Sequence, residues 1–159
     1  MSVPPVDLQK MELLGLNVRD VDAAIALFSE LFGIEFVRFE FTEDVPIERL
    51  PSDGSDAQAL SSSGTIVAMD RTGCVELIQT SPPVDDEGMR NIHFKVSDID
   101  AAVAHLRSQG FRVVANMRIG GLREAVFDSS QLHGMRMCLV EYDAPSMIEA
   151  MTTFDPPLP

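Results

Sequence analysis

VRDVDAAIA begins at Val18 and VSDIDAAVA begins at Val96, so a chain of 159 residues writes one phrase twice, 78 positions apart. Lengthened, LLGLNVRDVDAAIALF from Leu13 lies over NIHFKVSDIDAAVAHL from Asn91. Val18/Val96, Asp20/Asp98, Asp22/Asp100, Ala23/Ala101, Ala24/Ala102 and Ala26/Ala104 are identical, and most other pairs exchange one apolar residue for another. A repeat of this kind means one supersecondary unit used twice, with the apolar faces of both copies buried in a common core.

Each copy reads as strand, helix, strand. Leu14, Leu16 and Val18 alternate with Gly15 and Asn17, a period of two. Asp20 then stands where a helix N-cap belongs, because its carboxylate can accept from the orphan amides of the first turn. Val21, Ala24, Ile25, Phe28 and Leu31 follow at helical spacing, and Gly33 supplies the left-handed stop. The second copy repeats this with Ile92, Phe94 and Val96, the cap Asp98, the stripe Ile99, Ala102, Val103 and Leu106, and the stop Gly110. After IEFVRFEF, further strands are predicted over 65–71 and 74–80; after FRVVA, over 122–128 and 134–142. Each half is thus β-α-β-β-β.

The fold class expected is α+β, two βαβββ modules. One domain over 8–143 contains modules 11–80 and 89–143, and 144–159 is a tail whose APSMIEAMTTF allows a short helix before a frayed DPPLP. The stretch 42–63 lacks periodicity and reads as a long loop, and SPPVDDEG joins the halves.

Charge and motifs restrict function. Twelve Lys and Arg stand against 25 Asp and Glu, a net charge of −13 that repels phosphate backbones and anionic membranes. No nucleic-acid or membrane partner is expected; the partner is a small molecule. MSVPPVDLQK has no basic start leading into an apolar run, no stretch reaches the ~20 residues of a span, and Cys74 and Cys138 form no CxxC pair. These features predict a cytoplasmic protein with two reduced thiols. Phosphate-cradling glycine loops, the dinucleotide fingerprint, the nucleophile elbow and HExxH are missing, so no nucleotide cofactor is expected.

The segments LGLNVRDVDAAIALFSELFG, VELIQ, NIHFKVSDIDAAVAHLRSQGFRV and GMRMCLVEY together resemble the vicinal oxygen chelate superfamily, the glyoxalase, bleomycin-resistance and extradiol-dioxygenase group. The likeness spans residues 11 to 142, and the second half is most similar to methylmalonyl-CoA epimerases. It implies that the two βαβββ modules form curled mixed sheets around a shared cavity, ringed by four metal ligands, His, Glu or Gln, His and Glu, from the first and last strand of each module. Carried over by position, these fall on Leu13, Glu76, Asn91 and Glu141. Both histidines are replaced. Leucine has no donor and a neutral amide is a weak one, so a divalent metal would rest on Glu76 and Glu141.

The candidate catalytic residues are Glu76, Glu141 and His93. Alternation puts Cys74, Glu76 and Ile78 on one strand face, and Asn91, His93 and Lys95 on one face of another. Glu141 shares its face with Met137 and Leu139. Leu13, Asn17, Asn91, Lys95 and Met137 are the expected substrate contacts. His133, in a loop, reads as exposed, and His105 is given no role. Met135–Met137 reads as core or pocket lining.

Two functions follow. The resemblance implies two carboxylates facing one pocket; sharing a dry site, they hold a proton near neutrality, which suits proton transfer next to a carbonyl in an isomerase, epimerase, cyclase or lyase. Alternatively, the acidic charge and lost histidines match a drug-sequestering protein of the bleomycin-resistance type. A coenzyme A thioester would need basic residues, for which Arg90, Lys95, Arg112, Arg118 and Arg123 are present. The resemblance also implies a homodimer, which an uncovered sheet edge favours.

Overall fold

The structure, a computed structural model, describes residues 4–54 and 63–159. The first repeat gives β1 (Lys10–Asn17), α1 (Val21–Phe32), β2 (Phe36–Glu40), β3 (Ile47–Arg49), β4 (Ile66–Asp70) and β5 (Val75–Gln79). The second gives β6 (Gly88–Lys95), α2 (Ile99–Ser108), β7 (Val113–Ile119), β8 (Leu122–Phe127) and β9 (Met137–Glu141). A short α3 (Met147–Thr152) follows. The strands form one curled mixed sheet in the order β2-β4-β5-β1-β6-β9-β8-β7-β3. The two βαβββ units therefore join within one chain, through the antiparallel pair β1–β6 at the centre.

The caps act as the sequence predicts. Ala23 N–H donates to Asp20 and Ala101 N–H to Asp98, each at 2.9 Å. Gly33 ends α1 at φ 66°. α2 stops at Ser108, with Gly110 just beyond at φ 86°. Both helices lie on the convex side of the sheet. Val21, Ala24, Ile25 and Phe28 pack with Ala68 and Leu77; Ile99, Ala102, Val103 and Leu106 pack with Ala125, Phe127, Met137 and Leu139.

The concave side holds the larger cluster. Leu13, Phe41, Val67, Met69 and Ile78 from the first half meet Met117, Ile119, Leu122, Val126, Cys138 and Val140 from the second. α3 closes over them with Met147, Ala150 and Met151. Its approach depends on Gly120, at φ 56°, where a Cβ would lie 2.6 Å from the Thr153 carbonyl. The tail is partly anchored, since Phe154 and Leu158 pack against this cluster.

The stretch read as one loop contains β3, which pairs with β7 at the far edge of the sheet. Three residues with one apolar member carry no periodicity, so the strand exists by virtue of its partner. Residues 55–62 of that stretch lie outside the described residues.

Candidate active site

A small cavity of about 40 Å³ opens on the concave face. Its walls are apolar, with Phe41, Val67, Ile78, Met117, Ile119, Met147 and Met151. Its polar residues are Thr65, Glu76, Arg90, Asn91, His93 and Glu124. The sequence-predicted residues Glu76, Asn91 and His93 are thus brought together.

Strand register explains how. Gly15 faces Glu76 on one side and Asn91 on the other, and His93 faces Cys138. Gly15 leaves room for the Asn91 amide, since a Cβ there would lie 1.9 Å from Asn91 Oδ1 and the amide would have to shift. On β1 the pairing with β6 jumps from Met11/Phe94 to Leu14/Ile92, so Glu12 and Leu13 together oppose His93. Such a bulge bends and twists the strand locally.

His93 is buried between two acids. Its Nε2 lies 3.3 Å from Glu124 Oε1 and its Nδ1 lies 3.9 Å from Glu76 Oε2. Burial pulls the imidazole pKa down, but the hydrogen bond to Glu124 and the charges of Glu76 and Glu124 outweigh it, leaving it at about 9. Burial raises Glu76, with the His93 charge opposing. Glu124 also loses hydration, yet its hydrogen bond and charge contact with His93 hold it below the ordinary carboxylate value. The result is an imidazolium between carboxylates of unequal basicity.

Arg90 and Asn91 face the same space. Arg90 Nη1 donates to Asn17 Oδ1 at 3.0 Å, and burial lowers its pKa, helped by Arg136. Among the described residues, Asn91 Oδ1 and His93 Nδ1 are buried without a hydrogen-bond partner. Unpaired buried polar atoms are costly, and a ligand in the cavity would relieve that cost.

Other expected residues sit elsewhere. Glu141 does not reach the cavity. Strand alternation turns it to the convex face with Met137 and Leu139, where its Oε2 accepts from Ile99 N–H at 2.6 Å. Gln79 does the same for α1, accepting from Val21 N–H at 2.8 Å. The pairing of Glu76 with Glu141 across one pocket is therefore replaced by Glu76 with His93 and Glu124. Met137 packs beneath α2. Leu13 is buried in the concave cluster, and Lys95 Nζ lies 3.8 Å from the Tyr142 ring centre. Tyr142 in turn donates to the buried Glu12. His133 is exposed, at φ 55°.

Glu124 is the cavity carboxylate that sequence reasoning did not assign, and Arg90 enters there only among the basic residues available to a coenzyme A thioester. In LREAVF, Glu124 lies between Leu122 and Val126 on one strand face. A carboxylate flanked by apolar neighbours at period two was the available signal, the same one that marked Glu76. Of the other cations, Arg112 pairs with Asp128, Arg118 with Glu48 and Arg123 with Asp100.

The ring of Leu13, Glu76, Asn91 and Glu141 does not fit a divalent ion. Leu13 offers no donor, Asn91 a neutral amide, and Glu141 lies on the other side of the sheet.

A family model described as the Glyoxalase/Bleomycin resistance protein/Dioxygenase superfamily matches residues 14–127. No curated protein matches the chain. Methylmalonyl-CoA epimerase from Mycobacterium tuberculosis is similar at 22% identity and TM-score 0.63, over 86% of this chain and 90% of that one. A variant of the Streptomyces coelicolor methylmalonyl-CoA epimerase, in complex with 2-nitronate-propionyl-CoA, is similar at 22% identity and TM-score 0.61, over 87% of this chain and 100% of that one. A hypothetical protein from Bacillus halodurans C-125 is similar at 11% identity and TM-score 0.60, over 86% and 96%. At these identities the likeness to the solved structures is one of fold.

Proposed function

The chain belongs to the glyoxalase, bleomycin-resistance and dioxygenase superfamily, and from that premise we propose that it is an epimerase- or isomerase-type enzyme, moving a proton on a carbon next to a carbonyl. The observation that carries this reading is the buried row Glu76–His93–Glu124 on a cavity that also presents Arg90 and Asn91.

Glu76 is the base. Its loss of hydration makes the carboxylate more basic than an ordinary one, which suits abstraction of a weakly acidic proton near neutral pH. The C–H bond breaks, the proton passes to Glu76, and the electron pair moves to the carbonyl oxygen as an enolate forms. Arg90 and the Asn91 amide donate to that oxygen, in a site where most water is excluded. His93, held by Glu124, keeps a positive charge beside Glu76. Return of the proton from Glu76 to another carbon gives isomerisation; in epimerisation Glu76 passes its proton to solvent and a water at the cavity mouth protonates the opposite face.

Similar solved structures include a methylmalonyl-CoA epimerase bound to methylmalonyl-CoA, so α-branched acyl thioesters are the first substrates to test, followed by small keto acids. Incubation in D₂O with mass detection reads exchange of the acidic C–H directly. The native protein incorporates deuterium, and Glu76→Gln lowers the rate by about a hundredfold or more with an unchanged circular-dichroism spectrum. Exchange at the native rate in Glu76→Gln would remove Glu76 as the base.

A homodimer is part of the same proposal. Leu27, Leu31 and Phe32 on α1 and Met89 on β6 are exposed large apolar side chains, and a second copy covering them is read by sedimentation. A monomer at every concentration would overturn it.

A further inference from the structure

We infer that His93, Glu124 and Cys138, all from the second module, form a binding site for a borderline-soft divalent metal such as Zn²⁺ or Co²⁺. His93 is on β6, Cys138 is its register partner on β9, and Glu124 is on β8 beside β9. The imidazole nitrogen, the carboxylate oxygen and the thiol sulfur all lie within 4.8 Å of one another. An ion held at about 2.0–2.3 Å from such donors requires them roughly 3–4 Å apart. His93 Nε2 and Glu124 Oε1, at 3.3 Å, already meet that spacing.

The donor set fixes the class of metal. One nitrogen, one oxygen and one sulfur disfavour Mg²⁺ and Ca²⁺ and suit Zn²⁺ or Co²⁺. Three protein ligands leave one position open, and the neighbouring cavity supplies the space. The independent observation is on the other side of the ring. His93 Nδ1 is buried without a hydrogen-bond partner among the described residues, and Glu76 stands 3.9 Å from it. A histidine that binds metal through one nitrogen commonly gives the other N–H to a carboxylate, which fixes its tautomer and orientation. Glu76 is placed for that part. A metal on this site takes the place of the Nε2 proton of His93 and of the thiol proton of Cys138, so both are released on binding. The positive charge beside Glu76 is then carried by the ion, and the proton transfer proposed above does not depend on it.

The test is a cobalt titration of the purified protein after chelator treatment and dialysis. One Co²⁺ per chain is expected, with the near-ultraviolet charge-transfer band of a sulfur–cobalt bond. Cys74 is the other cysteine in the chain and is exposed, so Cys74→Ser retains the band and Cys138→Ala loses it. Glu124→Gln guards against a folding defect in Cys138→Ala: it leaves the thiol in place and weakens binding at least tenfold. Glu76→Gln weakens binding by about 10- to 100-fold and keeps the band. Absence of the band in folded native protein, or its survival in Cys138→Ala, overturns the site. Deuterium exchange by the chelator-treated protein is a separate readout, so failure here is distinguishable from failure of the proposed reaction.

Discussion

Raising the pH from 6 to 8.5 should destabilise the chelator-treated protein by an amount that follows from the surroundings of His93. Its pKa is 6.5 as a free side chain and about 9 in the fold. Over that interval the native state therefore holds a proton that the unfolded chain has released. The stabilisation is complete below the unfolded pKa and is lost as pH rises through the folded one. Its full size is roughly 3 kcal/mol, and the steepest loss is about 1.4 kcal/mol per pH unit between about 7.5 and 8.5. Cys138, whose thiol burial pushes well up, adds a loss of the same sign only as the unfolded thiol begins to ionise, so the measurement stops at 8.5. Urea unfolding at half-unit pH steps, with a constant m-value, reads the slope. His93→Gln should flatten it. Glu124→Gln, which removes the partner that holds the proton, should move the loss to lower pH. A native protein equally stable at pH 6.5 and 8.5, or an undiminished slope in His93→Gln, would refute the buried imidazolium.

Three further outcomes follow. Gly15→Ala sets a methyl group 1.9 Å from Asn91 Oδ1; displacement of that amide should cost about 1–3 kcal/mol in urea unfolding and abolish the α-proton exchange. Glu141→Ala removes the acceptor of Ile99 N–H and should cost about 1–3 kcal/mol, whereas Glu141→Gln, which keeps an acceptor, should cost less than about 1 kcal/mol; neither should alter turnover of the remaining folded protein. Gly120→Ala meets both a left-handed backbone and the Thr153 carbonyl and should cost about 2–4 kcal/mol, with faster proteolysis at α3 as the local readout.

Local chemistry made much of this legible. Asp20 and Asp98 mark the helix starts because a cap is a contact of one residue with its own next turn. The two faces of β5 and β6 follow from alternation, which is enough to assign Glu76, Asn91 and His93 to one side of their strands. The last strand is harder. The repeat runs at an offset of 78 through the helices, but the register makes Cys138 the counterpart of Glu76 and Glu141 the counterpart of Gln79. The first module carries the extra stretch around β3, so one offset cannot serve the whole repeat. Glu141 is an acid on the right strand, but its phase on that strand turns it to the helix side. Glu124 lies on a strand from which the family pattern takes no ligand, and only the curl of the sheet brings it to His93.

The pairing of β3 with β7 has a consequence for how the chain reaches this state. β3 belongs to the first half in sequence, but among the described residues its strand neighbour lies in the second. During synthesis, the first half emerges with β3 unattached and with β1 open along the edge that β6 later occupies. The edge of β1 stays open until β6 has left the ribosome, and β3 stays unattached until β7 has. A duplicated unit would otherwise be free to fold twice, once per copy. Here the first copy waits for the second, so the chain folds as one cooperative body, slowed by the long-range strand pairings on which it depends.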